Sequence, residues 1–161
     1  MDYYGKIADS YDGLHLNEQL EKLKIISENI KVKASDKLLD IGCGTGISTN
    51  FFECNATGID SSREMIKKGS SNLVYGKAEK LPFKDKTFDV ILCITAIHNF
   101  ENPEKALREM LRVKKDRAQI VITLLKKSKK FQKIKKLVEK YFKEVKEVDS
   151  DKDVILINVK S

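Results

Sequence analysis

Leu16, Leu20, Leu23, Ile26 and Ile30 recur at the three- and four-residue spacing of one helix face, after a short aromatic stretch that runs from Tyr3 to Gly13. The period then changes. Lys37-Leu38-Leu39-Asp40-Ile41 is a compact apolar run halted by the glycines of Gly42-Cys43-Gly44-Thr45-Gly46, which predicts a strand, a glycine loop and then a helix over residues 47–54. Residues 55–60 form a second strand. Ser61 and Glu64, three apart, make a capping box for the helix that follows, and Gly69 closes it. Residues 72–75 and 88–94 are the next strands. Asn102 before Pro103 is an N-cap with proline at the first helical position, and Ala106, Leu107, Met110 and Leu111 form the buried stripe of that helix. Residues 118–125 are almost uninterruptedly apolar, as in a strand covered on both faces. Ser128 caps a lysine-rich helix with Phe131, Ile134, Leu137, Val138 and Tyr141 on one side.

Two last β-like runs, residues 145–148 and 154–159, are joined only by Asp149-Ser150-Asp151-Lys152-Asp153. That link is too short for a parallel crossover, so the pair is an antiparallel hairpin. The predicted fold class is α/β, a doubly wound sheet with helices on both faces, mostly parallel with one reversed strand near its end. With 161 residues and no repeat or linker, the chain is expected to form a single domain, 1–161. Residues 1–31 are its lead-in and first helix, and 37–161 its core.

Composition narrows the classes. The longest largely apolar stretch, residues 90–97, is far too short to cross a bilayer, and the N-terminus lacks the basic and apolar regions of a signal peptide. A cytoplasmic chain without membrane association is expected. Cys43, Cys54 and Cys93 have no Cys-x-x-Cys spacing and the histidines are only His15 and His98, so neither a disulfide framework nor a metal site is expected. The net charge of +7 is uneven: between Lys126 and Lys146 ten lysines face Glu139 and Glu144, so any polyanion affinity would reside in that segment. Such a face is otherwise simply solvated.

The glycine loop lets the backbone approach a ligand and aims free N–H groups at it. A dinucleotide fingerprint needs a third glycine or alanine where Ile47 stands, and the Gly-Lys-Ser/Thr ending of a phosphate-cradling loop is absent. Asp60, closing the second strand, suits the two hydroxyls of a ribose; it also suits a helix cap, a role Ser61 already fills.

Taken together, these stretches resemble class I S-adenosylmethionine-dependent methyltransferases. Leu38 to Gly46 is similar to their first motif, Gly58-Ile59-Asp60-Ser61-Ser62 to the second, and Gly76-Lys77-Ala78-Glu79-Lys80-Leu81-Pro82-Phe83 to the third. Phe88-Asp89-Val90-Ile91-Leu92 and Ala96-Ile97-His98-Asn99-Phe100 resemble the fourth strand and its sequel. The lead-in Ile7-Ala8-Asp9-Ser10-Tyr11-Asp12 resembles the type 11 subgroup that includes the ubiquinone and menaquinone C-methyltransferases. The resemblance implies a Rossmann-like seven-stranded sheet and S-adenosylmethionine as cofactor. By position, Asp40, Gly42, Gly44 and Gly46, with Cys43, would hold its methionine portion. Asp60, with Ser61, would hold the ribose. Ala78 and Glu79 would lie beside the adenine, Cys93 and Ile94 near the sulfonium, and Tyr11 would close over the site. Lys77 replaces the family's usual aspartate, and Arg112-Val113-Lys114-Lys115-Asp116-Arg117-Ala118 lacks the usual Lys-Pro-Gly-Gly turn, so altered loop geometry is expected there.

His98, after the fourth strand, is the candidate general base or else a structural pocket residue. Methyl transfer to a small-molecule or partner-presented acceptor is the expected function. Two alternatives stand beside it. One is methylation of RNA or a translation factor through the lysine face with a small activating partner, and the other is a catalytically silent partner subunit.

Overall fold

The computed structural model describes residues 13–158. Its elements in chain order are α1 (Gly13–Asn29), β1 (Lys37–Ile41), β2 (Asn55–Asp60), α2 (Arg63–Lys68), β3 (Leu73–Tyr75), β4 (Phe88–Ile94), a 3-10 turn (Ile97–Asn99), α3 (Pro103–Val113), β5 (Lys114–Leu125), α4 (Phe131–Tyr141), β6 (Val145–Ser150) and β7 (Asp153–Asn158). The strands form one seven-stranded sheet in the order β3-β2-β1-β4-β5-β7-β6. Only β7 is reversed, running antiparallel to both β5 and β6.

Alternation along the strands sends side chains to two apolar layers. Leu39 and Ile41 of β1, Ile91 of β4 and Ile120 and Ile122 of β5 pack with Ala106, Leu107 and Met110 of α3 and Ile134 and Val138 of α4. On the other face Leu38, Leu92 and Val121 meet Leu16, Leu23 and Ile26 of α1 and Ile30 just beyond its end. The stripes of α1, α3 and α4 are those anticipated from periodicity. Asn102 caps α3, its side chain accepting the Lys105 N–H at 3.1 Å.

Several boundaries differ from expectation. Residues 47–54 form successive turns, not a regular helix. Ser48 and Thr49 turn their hydroxyls onto Asp40, and the Gly46 carbonyl accepts from both the backbone N–H and Nδ2 of Asn50, so the one helical turn made there is tied to side chains and is not propagated. The cap of α2 is Ser62, whose hydroxyl accepts from Met65 N, and not Ser61. At α4 the capping position is Lys130, without a side-chain bond, while Ser128 Oγ accepts from the Lys130 N–H and so orders the preceding turn. The segment lacking a glycine turn has no loop at all. Helix α3 passes directly into the twelve-residue β5, and the register with β4 shifts between Phe88 and Val90 to absorb the extra residues. The hairpin strands extend into the polar link, leaving Asp151-Lys152 as its turn.

Chain order reverses between β1 and β4, which creates a switch point at the carboxyl ends of those strands, where Gly42 and Thr95 follow. Leu107, fully buried between α3 and the sheet, and the Asn102 cap separate packing from capping. Leu107→Ala is expected to lower unfolding free energy by about 2–5 kcal/mol and Asn102→Ala by about 1 kcal/mol, both read from urea denaturation.

Candidate functional site

The glycine loop folds back onto β2. The Gly42 and Cys43 N–H groups both donate to the Ile59 carbonyl, at 2.8 and 3.1 Å, and Gly44 N–H donates to Asp60 Oδ2 at 2.8 Å. Gly42 adopts φ 76°, and a Cβ there would lie 2.5 Å from the Ala96 Cβ. Left-handed backbone and the tight approach of the chain after β4 together require glycine at this position. Asp60 Oδ1 accepts from Ser62 N–H at 2.9 Å, so one carboxylate orients both the loop and the start of α2.

Beneath the loop, Asp40 is fully buried. Its Oδ2 accepts from Ser48 Oγ at 2.5 Å and Thr49 Oγ1 at 2.8 Å, whereas Oδ1 is buried without a partner among the described residues. Burial pushes its pKa up to about 6, against the lowering effect of the two hydroxyls. Keeping it ionised at neutral pH therefore costs the folded state roughly 3 kcal/mol.

Two clefts open on either side of the switch point. The smaller, of about 330 Å³, is lined by Gly42, Asp60, Ser61, Ala78, Glu79 and Phe100, among others. The larger, of about 490 Å³, lies between α1, the glycine loop and the β6–β7 turn, and Cys43, Gly44, Thr45 and Ile94 line it. Gly42 and Thr95 border both. The segment carrying Ala78 and Glu79 is clamped to α3: Arg112 donates to the Leu81 and Phe83 carbonyls and pairs with Glu109 and Asp85, while Glu109 accepts the Leu81 N–H. Glu79 Oε2 accepts from Asn102 N–H at 3.0 Å.

The clefts thus gather Gly42, Cys43, Gly44, Asp60, Ser61, Ala78, Glu79 and Ile94, with Asp40 immediately below. Gly46 and Cys93 line neither, and Tyr11 lies outside the described residues. Burial pushes the Cys43 and Cys93 thiols up, so neither is a nucleophile. His98 sits in the 3-10 turn and borders neither cleft. Burial, and then the Lys130 ammonium, lower its pKa against a weaker upward pull from Asp153.

A polar cluster at the junction was not anticipated. Thr95, a β-branched residue held at φ 50°, is a strained conformer costing about 1–3 kcal/mol. Its hydroxyl donates to Asp153 Oδ2 at 2.6 Å and accepts from Lys22 Nζ at 2.9 Å. Its N–H donates to Thr123 Oγ1 at 2.7 Å. Lys22 and Asp153 form an ion pair at 2.8 Å with side chains 13% and 2% exposed. In the sequence Asp153 reads as one more polar hairpin residue, and nothing in its spacing announces burial.

The lysine segment is partly neutralised. Lys126 pairs with Asp149, Lys135 with Glu139 and Glu147, and Lys140 with Glu104. Lys130 Nζ donates to the His98 carbonyl and Lys146 Nζ to Asn29. Among the described residues no helix is long and apolar enough to cross a membrane, and no group of His, Cys, Asp and Glu could hold a metal ion.

Comparison with known proteins agrees with this layout. The profile of a methyltransferase domain matches residues 39–122. An uncharacterized protein of Methanocaldococcus jannaschii, MJ1252, is 39% identical over 130 residues, covering 76% of this chain and 50% of that protein. The demethylmenaquinone methyltransferase of Thermotoga maritima is 31% identical over 136 residues, covering 76% and 59%. This chain therefore spans between half and about three-fifths of the length of these relatives. In three dimensions, a SAM-dependent methyltransferase of Aquifex aeolicus shares the fold with a TM-score of 0.72, at 20% identity, over 92% of this chain and 100% of that one. With the glycine loop, Asp60 and the clamped segment all inside the matched residues, the chain belongs to the methyltransferase domain family.

Proposed function

We propose that this chain binds S-adenosylmethionine across the two clefts and transfers its methyl group to a small-molecule acceptor held in the larger one. The observation that carries this is the meeting of both clefts at Gly42 and Thr95, directly beyond the switch point. The residues fit the cofactor. A side chain at position 42 would fill the close approach to Ala96, and the orphaned Asp40 Oδ1 is a buried acceptor suited to a cation-bearing ligand. S-adenosylmethionine supplies a methyl group already activated on a sulfonium, so alignment is the main demand on the protein.

Each residue then has a bounded task. The carboxylate of Asp60, facing the smaller cleft, offers its remaining lone pairs to the ribose hydroxyls while holding Gly44. The Ala78 and Glu79 segment, fixed by Arg112 and Glu109, forms the adenine wall. Asp40 places negative charge under the loop toward the methionine end. Helix α1 narrows solvent access to the larger cleft from above. A small-molecule acceptor is favoured over RNA by the Thermotoga maritima relative's name and by the ion pairs that occupy Lys126, Lys135 and Lys140.

Calorimetric titration with S-adenosylmethionine tests the donor site. Wild type binds; Asp60→Asn weakens binding roughly 10-fold and Asp60→Ala more than about 100-fold, since charge-assisted hydrogen bonds are lost. Unchanged affinity in both variants would remove this assignment. Because Asp40 is raised to about 6, it is protonated below that pH and ionised above it. Donor affinity should therefore climb roughly tenfold between pH 5 and pH 7, and the climb should vanish in Asp40→Asn. Binding of a mixed-sequence RNA at physiological salt should be no tighter than the roughly micromolar to 100 micromolar range of non-specific contacts.

A further inference from the structure

The larger cleft differs in character from the chain that contains it. Although the protein carries a net charge of +7, the cleft is lined by Glu18, Glu21, Asp151 and Asp153 against Lys22 and Lys152. Two of these acids are tied to lysines in its wall, Glu18 to Lys152 and Asp153 to Lys22, each at 2.8 Å. Asp153 is the one that reaches the junction. Its Oδ2 lies 2.6 Å from the hydroxyl of Thr95, which borders both clefts. No other carboxylate lining the larger cleft has a hydrogen bond to a residue shared with the smaller one among the described residues.

We infer that Asp153, oriented by Thr95 and Lys22, is a specificity-determining residue of the methyl-transfer site: it accepts a hydrogen bond from an N–H or O–H of the acceptor and selects amine or hydroxyl nucleophiles. The inference rests on the donor-binding assignment above. Oδ2 is engaged by Thr95 and Lys22, and a carboxylate has further acceptor sites for a third donor. The ion pair with Lys22 fixes the direction of the group, so Asp153 positions the nucleophile. In the transfer, a bond forms between the acceptor nitrogen or oxygen and the methyl carbon. The carbon–sulfur bond breaks with its electron pair going to sulfur. The proton lost by the acceptor passes along the Asp153 hydrogen bond to solvent in the open cleft. Thr123, buried beneath, holds the Thr95 backbone N–H and so keeps the Thr95 hydroxyl aimed at the carboxylate.

The assignment predicts a preference that is measurable without knowing the natural acceptor. Sinefungin replaces the methylsulfonium of the cofactor by a carbon bearing an amine, which places N–H groups near the point of transfer; S-adenosylhomocysteine has nothing there. The ratio of their dissociation constants, measured by calorimetry on the whole chain, is the readout. Wild type is expected to bind sinefungin roughly 10- to 100-fold more tightly than S-adenosylhomocysteine. In Asp153→Asn the ratio should fall to within about threefold of unity. Because that variant leaves Lys22 without its partner, the double variant Lys22→Met/Asp153→Asn is measured beside it and should show the same collapse. A preference retained in the variants, or absent from a wild type that binds S-adenosylhomocysteine, overturns the role of Asp153. Failure of wild type to bind either compound instead overturns the donor assignment beneath it.

Discussion

The close approach of the chain after β4 to the chain after β1 is the constraint on which the rest of this structure depends. Where the two strands part, the backbone at Gly42 must turn with a positive φ and pass Ala96 with no room for a side chain. Its N–H and that of Cys43 are then satisfied by the Ile59 carbonyl of β2. This pins the loop to the adjacent strand and leaves open space on both sides of it. The two clefts and the position of Asp60 both follow from that fold-back.

Polar groups are concentrated around the same point, at a cost that the apolar layers offset. Asp40 is buried with one unpartnered oxygen, Thr95 is strained, and Lys22 and Asp153 are paired with little solvent contact. None of these is the cheapest solution for stability, since an apolar residue in place of a buried ion pair is often neutral or stabilising. They cluster at the carboxyl ends of β1 and β4, beside the two clefts. The opposite layer is built from Leu107, Met110, Ile134 and Val138, with the buried Asn158 amide donating to the Lys143 carbonyl at its edge. The Lys22–Asp153 and Lys152–Glu18 pairs have a second consequence: they join α1 to the β6–β7 hairpin, so the helix that roofs the larger cleft is held from both its apolar face and its charged rim.

Much of this was legible in the chain because its signals are local. The helical spacing of Leu23, Ile26 and Ile30, the Asn102-Pro103 cap and the short link before β7 all operate within a few residues, and each produced the expected element. The errors have equally local causes. Residues 47–54 have helix-like apolar spacing, but Ser48 and Thr49 commit their hydroxyls to Asp40, which fixes the turns there only once Asp40 is in place. The cap of α2 fell on Ser62 because Asp60 draws the Ser62 N–H to itself and thereby sets where the helix can begin.

By itself, the sequence determined the class of the sheet, its reversed strand, the glycine loop and the acidic residue that ends β2, since periodicity, turn chemistry and motif spacing are properties of neighbouring residues. Only the tertiary structure decided which distant side chains share a cleft. Lys22 and Asp153 are separated by most of the chain, as are Leu81 and Glu109 by an intervening strand, and their contacts exist because the strand order brings together the helices and loops that carry them. Residue type along the chain carries charge and size, whereas burial and partnership arise from strand order. For that reason Asp153 reads as a solvated hairpin residue in one dimension and stands as a 1% exposed carboxylate at the junction of two clefts in three.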